Sequence, residues 1–242
     1  MPTGNRLLDA LPPDTSARLA PEFRLEKLRR GKILHKPGET IRHLYFPINC
    51  LVSITVTMEE GRTAEVGVVG NREVAGINAF MGGSETTQTE YVVQIAGDVL
   101  KIRAKPLLDE FDENKDVRDV LLKYTQAMLA QVSQNAACNR LHHLEQRYAR
   151  WLLEARERIQ SDDVRLTQQF AGQMLGVRRA TVSETAAEFE QRGLISCRRG
   201  VTRIIDGPAL EKTSCECYRV ICDEYDRLLS HSRTKKGLSG SR

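Results

Sequence analysis

Apolar residues along this chain repeat with two different periods, and the change from one to the other divides it. From about Arg30 to Ile102 the sequence is rich in β-branched residues and broken by glycines at 31, 38, 61, 70, 76, 82, 83 and 97, the pattern of short strands joined by turns. Within "CLVSITVTMEEGRTAEVGVVG", Val52, Ile54, Val56 and Met58 alternate with Leu51, Ser53, Thr55 and Thr57 ahead of a Glu59-Glu60-Gly61 turn. That alternation predicts a hairpin with one face buried. A second alternating run, "EYVVQIAGDVLKI", closes the segment. An antiparallel β-barrel or jelly roll is the economical architecture for such a stretch.

The period then lengthens. From Phe111 to Ala137, Val117, Leu121, Tyr124, Met128 and Val132 fall at three- and four-residue spacings, and Leu122 and Leu129 widen the stripe. A long helix with such a seam needs an apolar partner. Two partners fit the periodicity equally: a second copy of the helix, which makes these five residues a dimerisation seam, or the β-domain of the same chain. After it, "LEQRYARWLLEARERI" predicts another amphipathic helix with Tyr148, Trp151, Leu152 and Ala155 inward, ended by Ser161, Asp162 and Asp163.

Two short apolar stripes follow in "LTQQFAGQMLGVRRATVSETAAEFEQRGLIS", Phe170 with Met174 and then Val182, Ala186 and Phe189, separated by a break at Leu175-Gly176-Val177. A glycine turn this short between two amphipathic helices is a helix-turn-helix signature. The next stretch, "GLISCRRGVTRIIDGPAL", reads as a small hairpin with "RRG" at its turn, which makes a winged helix. The expected fold is therefore α+β, with an N-terminal antiparallel β-barrel or jelly roll over 20–110, a central dimerisation helix over 111–138 and a winged helix-turn-helix with a C-terminal helix over 139–230. The basic, Ser- and Gly-rich tail, 231–242, is expected to be disordered and able to add nonspecific DNA affinity.

Composition narrows the function classes. The 242 residues have room for two domains with separate cores. No apolar run approaches the roughly 18 to 20 residues of a membrane span, and the N-terminus has no apolar signal core, so a cytoplasmic protein with no membrane partner is expected. Six cysteines in so charged a chain do not make a secreted disulfide framework. The net charge of +4 says little, but its distribution says more: between Thr167 and Arg203 six arginines stand against three glutamates. Arg198 and Arg199 at the wing tip are placed to meet a phosphate backbone beside a groove occupied by the second helix.

The order of β-domain, long helix, short helix and winged helix, with "PGE" at Pro37 to Glu39 as an early turn, resembles the CRP/FNR family of bacterial transcription regulators. The resemblance covers roughly residues 20–210 and is strongest in the last third. It implies a homodimer through the long helix, palindromic double-stranded DNA as a partner, RNA polymerase as a further one, a regulator rather than an enzyme, and in many members a small-molecule effector sensed in the β-domain. The family's recognition helix opens with a Ser or Thr cap, then Arg, then Glu, with a second Arg four residues after the Glu. Matched here are Arg178, Arg179, Ala180 and Glu184, so only Arg179 fits. Arg179 suits a bidentate contact to guanine O6 and N7, Ala180 an apolar contact to a thymine methyl, and Glu184 an acceptor for cytosine N4 or no DNA contact at all. Thr181 and Ser183 are candidate phosphate or base contacts. DNA binding is expected, at a sequence other than the family's commonest target.

The sensor half departs further from the family. Cyclic-nucleotide-binding members use a Gly-Glu pair for the ribose and an Arg-Ser or Arg-Thr pair for the cyclic phosphate. The corresponding positions fall near Gly76 and near Thr87 and Gln88, and no Arg or Lys stands between Glu73 and Lys101. A buried phosphate would lack a cationic partner, so cyclic AMP is not the expected ligand. An N-terminal iron–sulfur site is also excluded, because the first cysteine is Cys50. No cofactor or metal is expected, and the effector stays unassigned. Cys215, Cys217 and Cys222 lie close in sequence, but on a helix Cys215 and Cys217 point about 200° apart, and Cys215 with Cys222 read as core thiols beside Tyr218. His35, Glu39 and His43 as ligands of a cupin-like enzyme are disfavoured by the Pro37-Gly38 turn and the lack of an HxH pair. His142 and His143 read as surface residues. The competing functional class is a ligand- or partner-binding barrel whose winged helix serves protein assembly.

Overall fold

A computed structural model describes residues 2–82 and 86–229; the tail at 231–242 lies outside them. Two short helices, α1 (Arg6–Asp9) and α2 (Pro13–Leu19), precede the β-domain. Asn5 anchors them: its side-chain oxygen accepts from the amides of Leu7 and Leu8, and its Nδ2 donates to the carbonyls of Pro47 and Glu73 at 2.9 Å each. Leu7, Leu8 and Leu11 enter the core, so the folded body begins ahead of the expected boundary at residue 20. The strands are β1 (Arg24–Leu28), β2 (Ile33–His35), β3 (His43–Pro47), β4 (Leu51–Thr57), β5 (Thr63–Val69), β6 (Glu90–Ile95) and β7 (Gly97–Arg103). They form two antiparallel sheets, ordered β1-β7-β3 and β2-β6-β4-β5, a jelly-roll-like sandwich rather than a closed barrel. Tyr45, Val52, Ile54, Val69, Tyr91, Val93 and Val99 fill one cluster of its core.

The hairpin of β4 and β5 is present, but β4 is buried on both faces along most of its length, Ser53 and Thr55 included. The reason is a second layer: α5 (Leu144–Ile159) and α6 (Gln168–Leu175) cover the outer face of this sheet. Ser53 Oγ and Trp151 Nε1 both donate to the half-buried carboxylate of Glu65, at 2.6 and 2.9 Å. Burial raises Glu65 to about 7 against the pull of those two donors. Met58 lies past the covered region and is exposed.

After β7 come α3 (Ala104–Glu113) and α4 (Lys115–Leu141), the latter opened by Asn114, which accepts from the amides of Asp116 and Val117. At 1.5 Å per residue α4 is about 40 Å long. Its expected apolar seam faces inward. Val117, Leu121 and Tyr124 are buried in this subunit with Leu44, Phe46, Ile221 and Tyr225, and Met128 packs beside them. The β-domain, α3 and a further helix, α9 (Cys217–Leu229), cover this stripe. Leu122 and Leu129, which widen the stripe, project outward at 52% and 59% exposure, and Val132 sits half-buried at its edge.

Two residues, His142 and His143, turn α4 into α5. Beyond α5 the winged helix comprises β8 (Asp163–Val164), α6, α7 (Arg179–Gln191), β9 (Ile195–Arg198), β10 (Val201–Ile204) and α8 (Gly207–Thr213), with the sheet ordered β8-β10-β9. The β-domain and α5 meet through a buried ionic network. Arg158 bonds Glu73 at 2.9 Å and Glu154 at 3.2 Å, Arg72 bonds Glu73 at 3.2 Å and Glu157 at 3.0 Å, and Arg150 bonds Glu154. Three guanidiniums against three carboxylates leave it neutral, as burial requires. Burial acts to raise Glu154, but Arg150 and Arg158 outweigh it and hold that carboxyl below its ordinary range. Tyr225 of α9 closes the network, its ring 4.4 Å from the Arg72 guanidinium.

Candidate nucleic-acid interface

The helix-turn-helix is held by local chemistry that its sequence announces. Thr167 caps α6, accepting from the Phe170 amide at 3.3 Å. Gly176 ends it in the left-handed region at φ +69°, a conformation that glycine adopts without steric cost. Gly172 is needed for a different reason: a Cβ there would stand 2.9 Å from the Val177 carbonyl oxygen, so the turn could not close against α6. The second helix, α7, buries Val182, Thr185, Ala186 and Phe189, and Phe189 stacks on Tyr148 of α5 with centroids 5.7 Å apart.

That packing turns the other face of α7 to solvent. Arg178, which holds the N-cap position without a side-chain capping bond, is exposed with Arg179, Ala180, Thr181 and Glu184. Ser183 is half-buried, its Oγ 2.6 Å from Gln168 Oε1 and 3.0 Å from the Arg179 carbonyl, so its hydroxyl is already engaged within the subunit. The wing turns through two residues, Arg199 at φ +46° and Gly200 at φ +79°, between the paired Arg198 and Val201. Positive φ at both positions is the I′ hairpin geometry. An arginine rarely occupies the first of them, and here it places a guanidinium at the wing tip.

Arg179, Arg198 and Arg199 line one groove of about 550 Å³ between α6, α7 and the wing. Its rim includes a fourth arginine that periodicity could not reveal. Arg30, from the turn after β1, stands 5.2 Å from the Phe170 ring centre and donates to Thr167 Oγ1 at 3.3 Å. It lies 137 residues from Thr167 and carries no local motif. Ion pairing then sorts the arginines of this region. Arg192 pairs with Glu145, and Arg203 grips Asp163 with two bonds of 2.5 and 2.7 Å. Arg178, Arg179, Arg198 and Arg199 make no ion pair among the described residues. Within α7 and the wing hairpin, the uncompensated positive charge therefore sits at the start of the helix and on the wing tip.

In the β-domain, Gly76 holds φ +106°, and a Cβ there would approach Leu44, His35 and Ile41 to about 3 Å. A glutamate does not fit this position without a shift of those side chains. His35 is buried edge-on between Tyr45 and Tyr91, with ring centres 5.7 and 5.3 Å away, and burial lowers it to about 4. Glu39 and His43 do not join it in a ligand cluster among the described residues.

These features define a protein that couples a cyclic-nucleotide-binding type of β-domain to a Crp-like winged helix. The cyclic nucleotide-binding domain family matches residues 25–114, and the Crp-like helix-turn-helix domain family matches residues 146–213. The chain belongs to the CRP/FNR family of transcription regulators. Similar solved structures include FixK2 from Bradyrhizobium japonicum, at 15% identity and TM-score 0.68 over 80% of this chain and 98% of that one. The c-di-GMP-responsive global regulator CLP of Xanthomonas campestris is similar at 16% identity and TM-score 0.63 over 80% and 99%. A CRP-family transcriptional regulator from Thermus thermophilus is similar at 18% identity and TM-score 0.65 over 78% and 96%. No curated protein matches the chain by sequence. Among the described residues no helix is long and apolar enough to cross a membrane.

Proposed function

We propose that this protein is a homodimeric, sequence-specific DNA-binding transcription regulator of the cytoplasm, without enzymatic activity. The observation that carries the reading is the segregation of charge in the winged helix. Two of its arginines, Arg192 and Arg203, are neutralised by carboxylates, and of the five left unpaired among the described residues four stand at the start of α7 and on the wing, with Arg165 just ahead of α6 as the fifth. A helix N-terminus flanked by a basic wing is the surface that enters a major groove while gripping the adjacent backbone. Arg179 reads guanine, Ala180 meets a thymine methyl, and Arg178, Thr181, Arg198 and Arg199 position the helix on phosphates. Ser183 supports Gln168 rather than reading a base, and Glu184 stays off the DNA or accepts from cytosine N4.

The second copy docks on the outer face of α4. Leu122, Leu129 and Ala136 recur every seven residues, all exposed, with Thr125 and Val132 between them. A heptad row of this kind is a coiled-coil seam. The inward residues Val117, Leu121 and Tyr124 already have partners within the subunit. The β-domain does not bind cyclic AMP in this account, because the ribose glutamate position is Gly76 and the segment from Val74 to Leu100 supplies no cation for a phosphate.

Fluorescence anisotropy on a preferred duplex and a scrambled one tests the reading. Arg179→Ala is expected to cost about 1 to 3 kcal/mol on the preferred duplex and to relax preference at one base pair per half-site. Equal losses on both duplexes would make Arg179 a phosphate contact. A binding constant insensitive to salt would remove nucleic acid as the partner, because neutralising phosphates releases counterions.

A further inference from the structure

At the hinge between α4 and α5, four soft ligands converge from two distant parts of the chain. Cys138 lies on the last turn of α4 and His142 is the first residue past it, while Cys217 opens α9 and Cys215 lies two residues ahead of it. Their sulfur and ring-nitrogen atoms all lie within 4.8 Å of one another. Cys138 Sγ and Cys215 Sγ are 3.5 Å apart, and Cys217 Sγ and His142 Nδ1 are also 3.5 Å apart. The thiols are free rather than joined as a disulfide. A tetrahedral ion with sulfur at about 2.3 Å and nitrogen at about 2.0 Å holds its ligand atoms roughly 3.5 to 3.8 Å apart, close to the spacing of these two pairs, and the remaining pairs lie within 4.8 Å. The three thiols also make up a buried cluster of their own, with no aliphatic side chain in it. Ordinary core cysteines are embedded among hydrophobes.

We propose that Cys138, His142, Cys215 and Cys217 form a tetrahedral Zn2+ site, a Cys3His centre that pins α9 to the end of α4. The surrounding groups are those a zinc site requires. His142 presents Nδ1 to the thiols and its Nε2 faces Glu216 Oε2 at 3.3 Å, the carboxylate–histidine pairing that orients a metal-bound imidazole. Gln134 Nε2 donates to Cys217 Sγ at 3.0 Å. Zinc binding expels the thiol protons of its cysteine ligands. Four protein ligands close the coordination sphere, so the site is structural and leaves no position for substrate.

The ligands were not legible as a set. Cys215 and Cys217 were expected to diverge on one helix, but Cys215 precedes α9, and the backbone there is not helical, so both thiols turn to the same point. Cys222 does not share their cluster; its Sγ faces Glu157 and Arg72. His142 is largely covered rather than a surface residue, with 18% of its side chain exposed. Because His142 also begins the two-residue hinge, metal occupancy fixes the direction in which α5 and the winged helix leave α4.

The test is metal analysis of the full chain purified without chelator, followed by replacement of zinc with Co2+. One zinc per chain is expected, and the Co2+ form should show the ligand-field and thiolate charge-transfer bands of a tetrahedral, thiolate-rich site. Those bands should vanish in C138S and C217S and persist in C222S, and Glu216→Gln should weaken affinity about 10- to 100-fold. Wild-type protein that binds no zinc and leaves Co2+ as the hydrated octahedral ion would overturn the proposal without reliance on any variant's folding. So would a Cys138–Cys215 disulfide, an iron–sulfur chromophore, or bands that survive in C138S and C217S.

Discussion

Replacing Glu73 with alanine tests whether the buried ionic network holds the β-domain to α5. The Glu73 carboxylate is fully buried, and it accepts from Arg72 Nε at 3.2 Å, Arg158 Nε at 3.1 Å and the Gly70 amide at 2.6 Å. Arg158 Nη2 adds an ionic contact at 2.9 Å. Removing it leaves two guanidiniums, exposed by no more than 1%, against carboxylates on α5 alone. A buried pair broken on one side costs about 3 to 5 kcal/mol, because the orphaned charge keeps its desolvation penalty. For a chain of this size each kcal/mol moves the melting temperature by about 2 to 4 °C, so Glu73→Ala should lower it by roughly 6 to 20 °C. Glu73→Gln keeps one acceptor oxygen and should fall between the two. Thermal unfolding followed by circular dichroism, with urea titration as a second readout, measures the loss. A cost below about 1 kcal/mol is the size of an exposed ion pair and would refute the claim that these charges are desolvated and mutually dependent.

Two further outcomes follow from the same geometry. Leu129→Asp, at an exposed position of the heptad row, should shift the protein to monomer in sedimentation velocity while leaving the circular dichroism spectrum intact; an unchanged dimer would place the interface elsewhere. Glu65 binds protons more tightly folded than unfolded, so its contribution to stability is full below its ordinary value near 4.5 and is lost as pH rises to about 7. Glu65→Gln should flatten that decline in a series of melting temperatures, and a decline of unchanged size would assign it to another group.

How far the sequence could be read depended on whether a feature was local. The winged helix was legible because Gly176, the stripes on α6 and α7 and the "RRG" turn are each set by neighbours within one or two turns of chain. The two-sheet β-domain was legible from alternation, but the burial of Ser53 and Thr55 was not, since it depends on α5 and Trp151 arriving from almost a hundred residues away. Periodicity showed that α4 has an apolar stripe and could not say what covers it; α9 and the β-domain take the inner face, which leaves the narrower Leu122 and Leu129 row outside. Arg30 and the Cys–His cluster were hidden for the same reason, being contacts between segments that share no pattern.

The most direct test of the regulator reading is selection of binding sites from a random duplex pool, with purified protein at near-physiological salt. The account predicts an enriched palindrome with half-sites about 10 to 10.5 base pairs apart and a guanine in each half that Arg179→Ala no longer demands. A pool that stays random through the selection, both alone and with a small-molecule cell extract added, would contradict it.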